Sequence, residues 1–368
     1  MIDVHRVSDD EQWDKYVDRS PGGSVFHRAA FLREIATESG TELERLVGKN
    51  GEHPIGIFPV FTDSRGPIRL AFSPPPHTGI PHLGPAMCLD PNIKARKATT
   101  RTHEFLEACG KWLDDEYDPH YVRVVTNPAF AEVRPFRWLG FDLSPRFAYE
   151  LDIDRDEDAL LRSFSRDARR SIQDHYDPVL AATDGGQLLA DETRDEAATE
   201  TRDGPATETD SPTYTIEPGG SDAVETIASQ LERRFDEQGE TFPLSKGFLE
   251  GVYESLPDGT VDVYHLHVDG RPVTGRLSLC HDGRLTFWQG VPKPREDVDV
   301  PVNDLLNWHS MRRARDRGCS VAELSGANVE RLWKYKAKFN PDLTPYYVAE
   351  RTATIVRPLL ALYKWWDA

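Results

Sequence analysis

Asn328-Val329-Glu330-Arg331-Leu332-Trp333-Lys334-Tyr335-Lys336-Ala337-Lys338-Phe339-Asn340 holds three of the chain's eleven lysines within seven residues. A solvated surface does not concentrate lysine that way by chance. On a helix, where each residue advances about 100°, Val329, Leu332, Trp333, Lys336 and Phe339 share one side. Lys336 therefore points with apolar residues, while Lys334 and Lys338 face water on the opposite side. Two readings of Lys336 stand. Its stem can cover the core with the ammonium at the rim, or the ammonium can sit at a pocket edge to bind a phosphate or stabilise an oxyanion.

The chain around this stretch has 368 residues, long for one domain and comfortable for two. At 38% hydrophobic it can build sizeable cores. Its formal net charge is -18, and lysine supplies only eleven of its 44 basic residues. Such an acidic, lysine-poor composition points to adaptation to high salt, where screening shortens to a few Å and an anion site must work by close contact. The four cysteines, Cys88, Cys109, Cys280 and Cys319, have no metal spacing and are read as reduced and structural. The first residues carry neither a basic stretch nor an apolar run, so a soluble cytoplasmic protein is expected, without a signal peptide and without stable membrane insertion. The apolar segment at 355–366 reads as a docking helix rather than a membrane foot.

Read in order, the first part is mixed α/β. A strand at 2–7 leads through Ser8-Asp9-Asp10-Glu11, with Ser8 as N-cap and Glu11 three places on, into a helix with Trp13, Tyr16 and Val17. A helix at 29–38 and strands at 43–48, 54–61 and 68–72 form an antiparallel meander. Pro74-Pro75-Pro76 opens a long loop carrying His77 and His82, a candidate wall of a binding site. A helix at 93–117 and strands at 121–125 and 148–153 follow.

From residue 154 the pattern restarts with a helix at 157–176, on which Arg166, Arg169 and Arg170 cluster as surface ion-pair partners or as a phosphate site. The acidic segment at about 181–212 lacks large apolar residues and is expected to be a disordered insertion. Beyond it come a strand at 214–216, helices at 222–238 and 245–256, and strands at 261–268, 272–280 and 284–291, joined by Asp269-Gly270 and Asp282-Gly283 turns. A helix at 302–317, a strand at 321–324, the lysine segment and a strand at 346–352 close the pattern. Both parts share one order of elements, that of the GNAT acyltransferase fold written twice. The expected division is 1–153 and 154–368.

In these residues the chain resembles the FemAB and BioF2-like acyltransferases, which are tandem GNAT proteins. The resemblance rests on Trp13 with Ser20-Pro21 and Ser24-Val25-Phe26-His27, on Gly56-Ile57-Phe58-Pro59, on Arg169-Arg170-Ser171-Ile172, and on Tyr335-Lys336-Ala337-Lys338-Phe339-Asn340. The last matches a family pattern of aromatic, lysine, two residues, phenylalanine, glycine, with Asn340 in the glycine position. The resemblance implies an α/β fold of two GNAT-like domains, each a mixed, mainly antiparallel sheet flanked by helices. It also implies transfer of an acyl or aminoacyl group to an amine, with Lys336 steadying the transferring group.

The glycine loop by which ordinary GNAT enzymes cradle the coenzyme A pyrophosphate is missing. Its place in the second half reads Gly290-Val291-Pro292-Lys293-Pro294-Arg295-Glu296. Lys293 and Arg295, with Arg169 and Arg170, are then the cations offered to the donor. That donor is acetyl-CoA or another acyl-CoA, or an aminoacyl-tRNA, and no metal is needed. The acceptor is a small or carrier-bound amine, and no DNA partner is expected. Tyr335, Glu323 and His309 are the candidate proton handlers. An acetyl-CoA-dependent N-acetyltransferase and a binding protein that has lost its chemistry are the alternatives.

Overall fold

A computed structural model describes residues 2–192, 212–291 and 298–356, with backbone only for 180–192 and Ile355. In chain order the strands are β1 (Asp3–Arg6), β2 (Glu42–Asn50), β3 (His53–Arg65), β4 (Ile68–Ser73), β5 (Ala86–Met87), β6 (Tyr121–Val125), β7 (Asp142–Asp152), β8 (Tyr214–Pro218), β9 (Val261–Val268), β10 (Arg271–His281), β11 (Arg284–Gly290), β12 (Val321–Leu324) and β13 (Asp342–Thr352). The helices are α1 (Asp10–Asp18), α2 (Ala29–Ser39), α3 (Ala95–Glu116), α4 (Arg134–Trp138), α5 (Glu157–Ser163), α6 (Arg166–Glu192), α7 (Ser221–Asp236), α8 (Lys246–Ser255), α9 (Val302–Asp316) and α10 (Trp333–Ala337).

The expected meanders are present, with β2–β3–β4 and β9–β10–β11 antiparallel. Asp269 and Gly270, and Asp282 and Gly283, take the positive φ that two-residue hairpins require. The two halves do not keep separate sheets. Strand order runs β1-β2-β3-β4-β6-β13-β7-β12-β11-β10-β9-β8, with β5 beside β3. Thus β13, last in the second half, pairs with β6 of the first, and β7, last in the first half, pairs with β12 of the second. The expected division at 153 does not divide the sheet, which runs on from β13 through β7 to β12.

Residues 142–147 and 342–345 belong to β7 and β13, although Pro145 and Pro345 argue against strand there. The two prolines lie in the β7–β13 ladder, at Pro145↔Tyr347 and Pro345↔Phe147. At those positions neither β12 nor β6 flanks the other side, because those pairings begin at Tyr149 and Val348. The missing N–H groups therefore cost no ladder bond.

One sheet face carries α1, α2, α7 and α8 around a core shared by both halves, with Trp13, Phe31, Phe248 and Trp288 in it. The other face packs α3 and α4 against the first half's strands, and α5, α6 and α9 against the second's.

Three local expectations need correction. Asp9, not Ser8, caps α1, accepting from the Gln12 N–H at 2.6 Å. Asp9→Ala should therefore cost about 1 kcal/mol in urea denaturation and Ser8→Ala almost nothing; equal losses would return the cap to Ser8. The helix expected at 157–176 is two, broken at Phe164, whose N–H bonds the Leu161 carbonyl. Residues 181–192, expected to open a disordered insertion, continue α6. Their Ala and Leu content sustains a helix that the acidic composition obscured. The rest of that segment and the helix expected at 355–366 lie outside the described residues, except for a short 3-10 turn at Thr354–Val356.

Candidate active site

The helix expected over 328–339 is only the five-residue α10, and this changes which side chains are buried. Trp333 and Val329 are exposed, whereas Phe339 is fully buried against Phe164, ring centroids 5.3 Å apart. Phe339 anchors the segment, and Lys336, three residues earlier, is drawn in behind it to 8% exposure. Its ammonium stands 5.8 Å from the Phe287 ring centroid on β11. The Arg276 guanidinium of β10 lies over the same ring at 4.9 Å and is itself 5% exposed. Gly290 leaves room for it, since a Cβ there would come within 3.1 Å of its Nη1.

Among the described residues, neither Lys336 nor Arg276 pairs with a carboxylate, and the buried Arg276 Nε has no hydrogen-bond partner. The nearby carboxylate is otherwise engaged. Asp304, in the first turn of α9, takes the Lys338 ammonium at 2.6 Å on Oδ2 and the Tyr335 hydroxyl at 3.0 Å on Oδ1. Lys338, expected in water, is thus an internal ion-pair partner. Asn307 donates through Nδ2 to the Tyr335 oxygen at 2.9 Å, and its Oδ1 is buried without a partner. Three cations face one carboxylate in this cluster.

Electrostatics follow from that imbalance. Burial, and then the Arg276 charge, lower the Lys336 pKa to about 7. Burial also lowers that of Arg276, which remains charged. Burial and Asp304 push the Tyr335 phenol well above its usual value, so it serves as a donor to Asp304 and not as a base. A pair of buried cations without counter-ions is an arrangement that a substrate anion or a developing oxyanion completes.

Glu323 is not part of this cluster. On β12, Ala322 and Leu324 point into the α9-side core and Glu323 to the opposite face. There its Oε1 accepts from His82 Nε2 at 2.8 Å, while Arg284 stands 3.6 Å from Oε2 and bonds Glu150 at 2.6 Å. Burial opposes ionisation of Glu323, but His82 and Arg284 outweigh it and hold the carboxyl below its usual range. Of the two loop histidines, His82 is buried in this pair and His77 is exposed.

His309 is a core residue, its Nδ1 bonded to the Tyr176 hydroxyl at 2.8 Å and its pKa lowered by burial to about 4. Arg169 is half-buried and Arg170 exposed on α6, neither paired with a carboxylate among the described residues. The start of α6 is tied to α10 by the Ser165 N–H donating to the Lys338 carbonyl at 2.8 Å. Lys293 and Arg295 lie outside the described residues.

Sequence reasoning missed Arg276, Asp304 and Asn307. Two signals were available: an arginine on the alternating inward face of an apolar strand, and a polar seam of Asp304, Asn307 and Ser310 at helical spacing on a buried helix side.

Residues 193–337 match the family model of the acetyltransferase (GNAT) domain. No curated protein sequence matches. The chain superposes on the crystal structure of FemX with a TM-score of 0.64 and 12% identity, over 94% of this chain and 96% of that one. It also resembles a conserved protein of unknown function from Bacteroides thetaiotaomicron (TM-score 0.52, 13% identity, 95% and 100% covered). A tandem GNAT protein from the clavulanic acid biosynthesis pathway matches at TM-score 0.47 and 12% identity, over 95% and 98%.

Proposed function

From the premise that this chain is a FemAB-like, tandem-GNAT acyltransferase, we propose that Lys336 and Arg276 hold the acyl donor on the α9 side of the sheet. The family's reaction moves an acyl or aminoacyl group onto an amine and leaves an amide. The observation that carries the assignment is the pair of buried, uncompensated cations around Phe287. Main-chain pairing of β11 with β12 ends at Thr286 and Glu323, while β11 runs on to Gly290 without β12 beside it. Phe287 is the first residue past the paired segment. A donor carbonyl placed there meets an ammonium and a guanidinium in a low-dielectric setting, where they stabilise the tetrahedral oxyanion most. Asp304 and Asn307 act by holding Tyr335 and Lys338, and so fix the backbone that carries Lys336.

Two donors suit the site. An aminoacyl-tRNA is favoured by the absence of a glycine cradle in Gly290-Val291-Pro292-Lys293-Pro294-Arg295, and acetyl-CoA by the acetyltransferase family match. Thermal stability in molar salt, the condition the acidic composition recommends, separates them. A ligand at 100 times its Kd adds about 2.7 kcal/mol, and Arg276→Met should weaken the effective donor at least tenfold. Stabilisation by acetyl-CoA selects the thioester, and stabilisation by charged tRNA alone selects the ester. If neither ligand stabilises the protein, the donor assignment is wrong.

A further inference from the structure

Away from the lysine cluster, two of the four cysteines meet. Cys280 is next to last in β10, and Cys319 lies between α9 and β12. The Ser320 N–H bonds the Gly283 carbonyl, in the turn from β10 to β11, at 2.8 Å, so both cysteines flank that turn. Both side chains enter the core on the α9 side of the sheet, where the two thiols share a hydrogen bond. Cys319 is 7% exposed and Cys280 is half-buried. Arg317 donates through Nη2 to Cys280 Sγ at 3.0 Å, and it also pairs with Asp262 of β9, whose Oδ2 lies 3.3 Å from the same sulfur. We propose that Cys280 and Cys319 form a peroxide-sensitive dithiol that closes into a disulfide and staples β10 to the end of α9.

An ordinary buried cysteine is a small hydrophobe. Cys109 fits that description, because burial alone raises its thiol. The pair differs in having a proton to share and a cation to receive the charge. The hydrogen bond with Cys280, helped by Arg317, outweighs burial and brings the Cys319 pKa down to about 7, while the same bond and burial push the Cys280 thiol far up. At neutral pH one proton is thus held between two sulfurs. Asp262 works against the resulting charge, and its ion pair with Arg317, Nη1 at 2.7 Å, weakens that opposition. Moving the shared proton across the bond puts the anion on Cys280, where Arg317 meets it and peroxide from solvent reaches it. The bond also keeps the sulfurs in contact, so joining them asks for little backbone movement.

The chemistry balances with hydrogen peroxide as oxidant. The Cys280 thiolate attacks one peroxide oxygen, the oxygen–oxygen bond breaks, and hydroxide leaves behind a sulfenic acid. The Cys319 thiolate then attacks the Cys280 sulfur. The sulfur–sulfur bond forms, the sulfur–oxygen bond breaks, and a second hydroxide leaves. The two hydroxides take up the two thiol protons, so two thiols and one peroxide give one disulfide and two waters. The sulfurs are oxidised and the peroxide oxygens reduced. The staple joins the strand that carries Arg276 to the helix that carries Asp304.

The test uses the whole native protein. It is treated with hydrogen peroxide, quenched with iodoacetamide and digested without reductant. The tryptic peptides bearing Cys280 and Cys319 should appear joined, and dithiothreitol should part them. Cys88, whose thiol is raised by burial, is the internal standard and should oxidise at least tenfold more slowly. In Cys319→Ser the Cys280 sulfenic acid has no thiol to meet and should accumulate as its dimedone adduct. The joined wild type should unfold at a higher temperature than the reduced protein, since the disulfide constrains the unfolded chain, and dithiothreitol should reverse the rise. Peptides that join no faster than Cys88 oxidises, or only in urea, would overturn the proposal and leave the pair as core packing. A joined pair without the dimedone adduct would overturn the order of attack, and an unraised unfolding temperature would overturn the staple.

Discussion

Lys336→Met should make the protein more stable and almost inactive. The folded chain releases the Lys336 proton near pH 7, whereas an exposed lysine holds it to about 10.4. Below about pH 7 both states are protonated and the full cost of burying the charge falls on the fold. Between pH 7 and 10 the unfolded chain binds the extra proton, so wild-type stability rises with pH, and above that window the difference is gone. Each tenfold change in proton affinity is worth about 1.4 kcal/mol. Methionine fills nearly the same volume without the charge, so the variant should gain roughly 2–4 kcal/mol at pH 6.5 and much less at pH 9.5. Transfer should fall about 10²–10³-fold, the usual loss when one oxyanion donor is removed. In the wild type the rate should decline as pH rises through about 7, because the charged form does the work. Urea denaturation at the two pH values and initial rates check each part. A variant that loses stability, or that keeps its turnover, would show the lysine to be an ordinary structural residue.

Asp304→Ala is expected to be the most damaging single change to the fold of this site. Asp304 is 3% exposed and carries both the Lys338 ion pair and the Tyr335 hydrogen bond. Removing one partner of a buried pair leaves the other charge stranded, typically at a cost of 3–5 kcal/mol. Lys338 retains some exposure and can partly rehydrate, so about 3 kcal/mol is expected here. The double variant Asp304→Leu with Lys338→Met removes both charges and should recover most of that loss. Activity should not recover with it, because Tyr335 stays unclamped and Lys336 loses its fixed position. Recovery of activity along with stability would mean that the clamp positions nothing. Denaturation of Asp304→Leu, of Lys338→Met and of the double variant, alongside rates, gives the coupling energy directly.

The two largest corrections come from contacts between distant residues. The lysine segment shows in sequence because three lysines in seven residues is a local anomaly, but a 100° step carried through 328–339 overstated the helix. Trp333 came out exposed and Lys338 paired because Phe339, locked on Phe164 of α5's boundary, sets the angle of a single turn. Glu323 and Lys336 both looked catalytic and are separated by the sheet.

Sequence by itself determined what depends on near neighbours: the Asp-Gly hairpins, the meanders, the repeated order of elements and the inward direction of Lys336. Those follow from turn chemistry and from apolar period, which act over a few residues. Only tertiary structure decided the exchange of β7 and β13 between the halves, because two equivalent last strands can satisfy either sheet and the choice lies in long-range pairing. It alone brought His82 to Glu323 across 241 residues and set Arg276 beside Lys336 over one ring. Local propensity is blind to which side chains meet across strands so far apart in the chain, and in this protein those meetings place the charges.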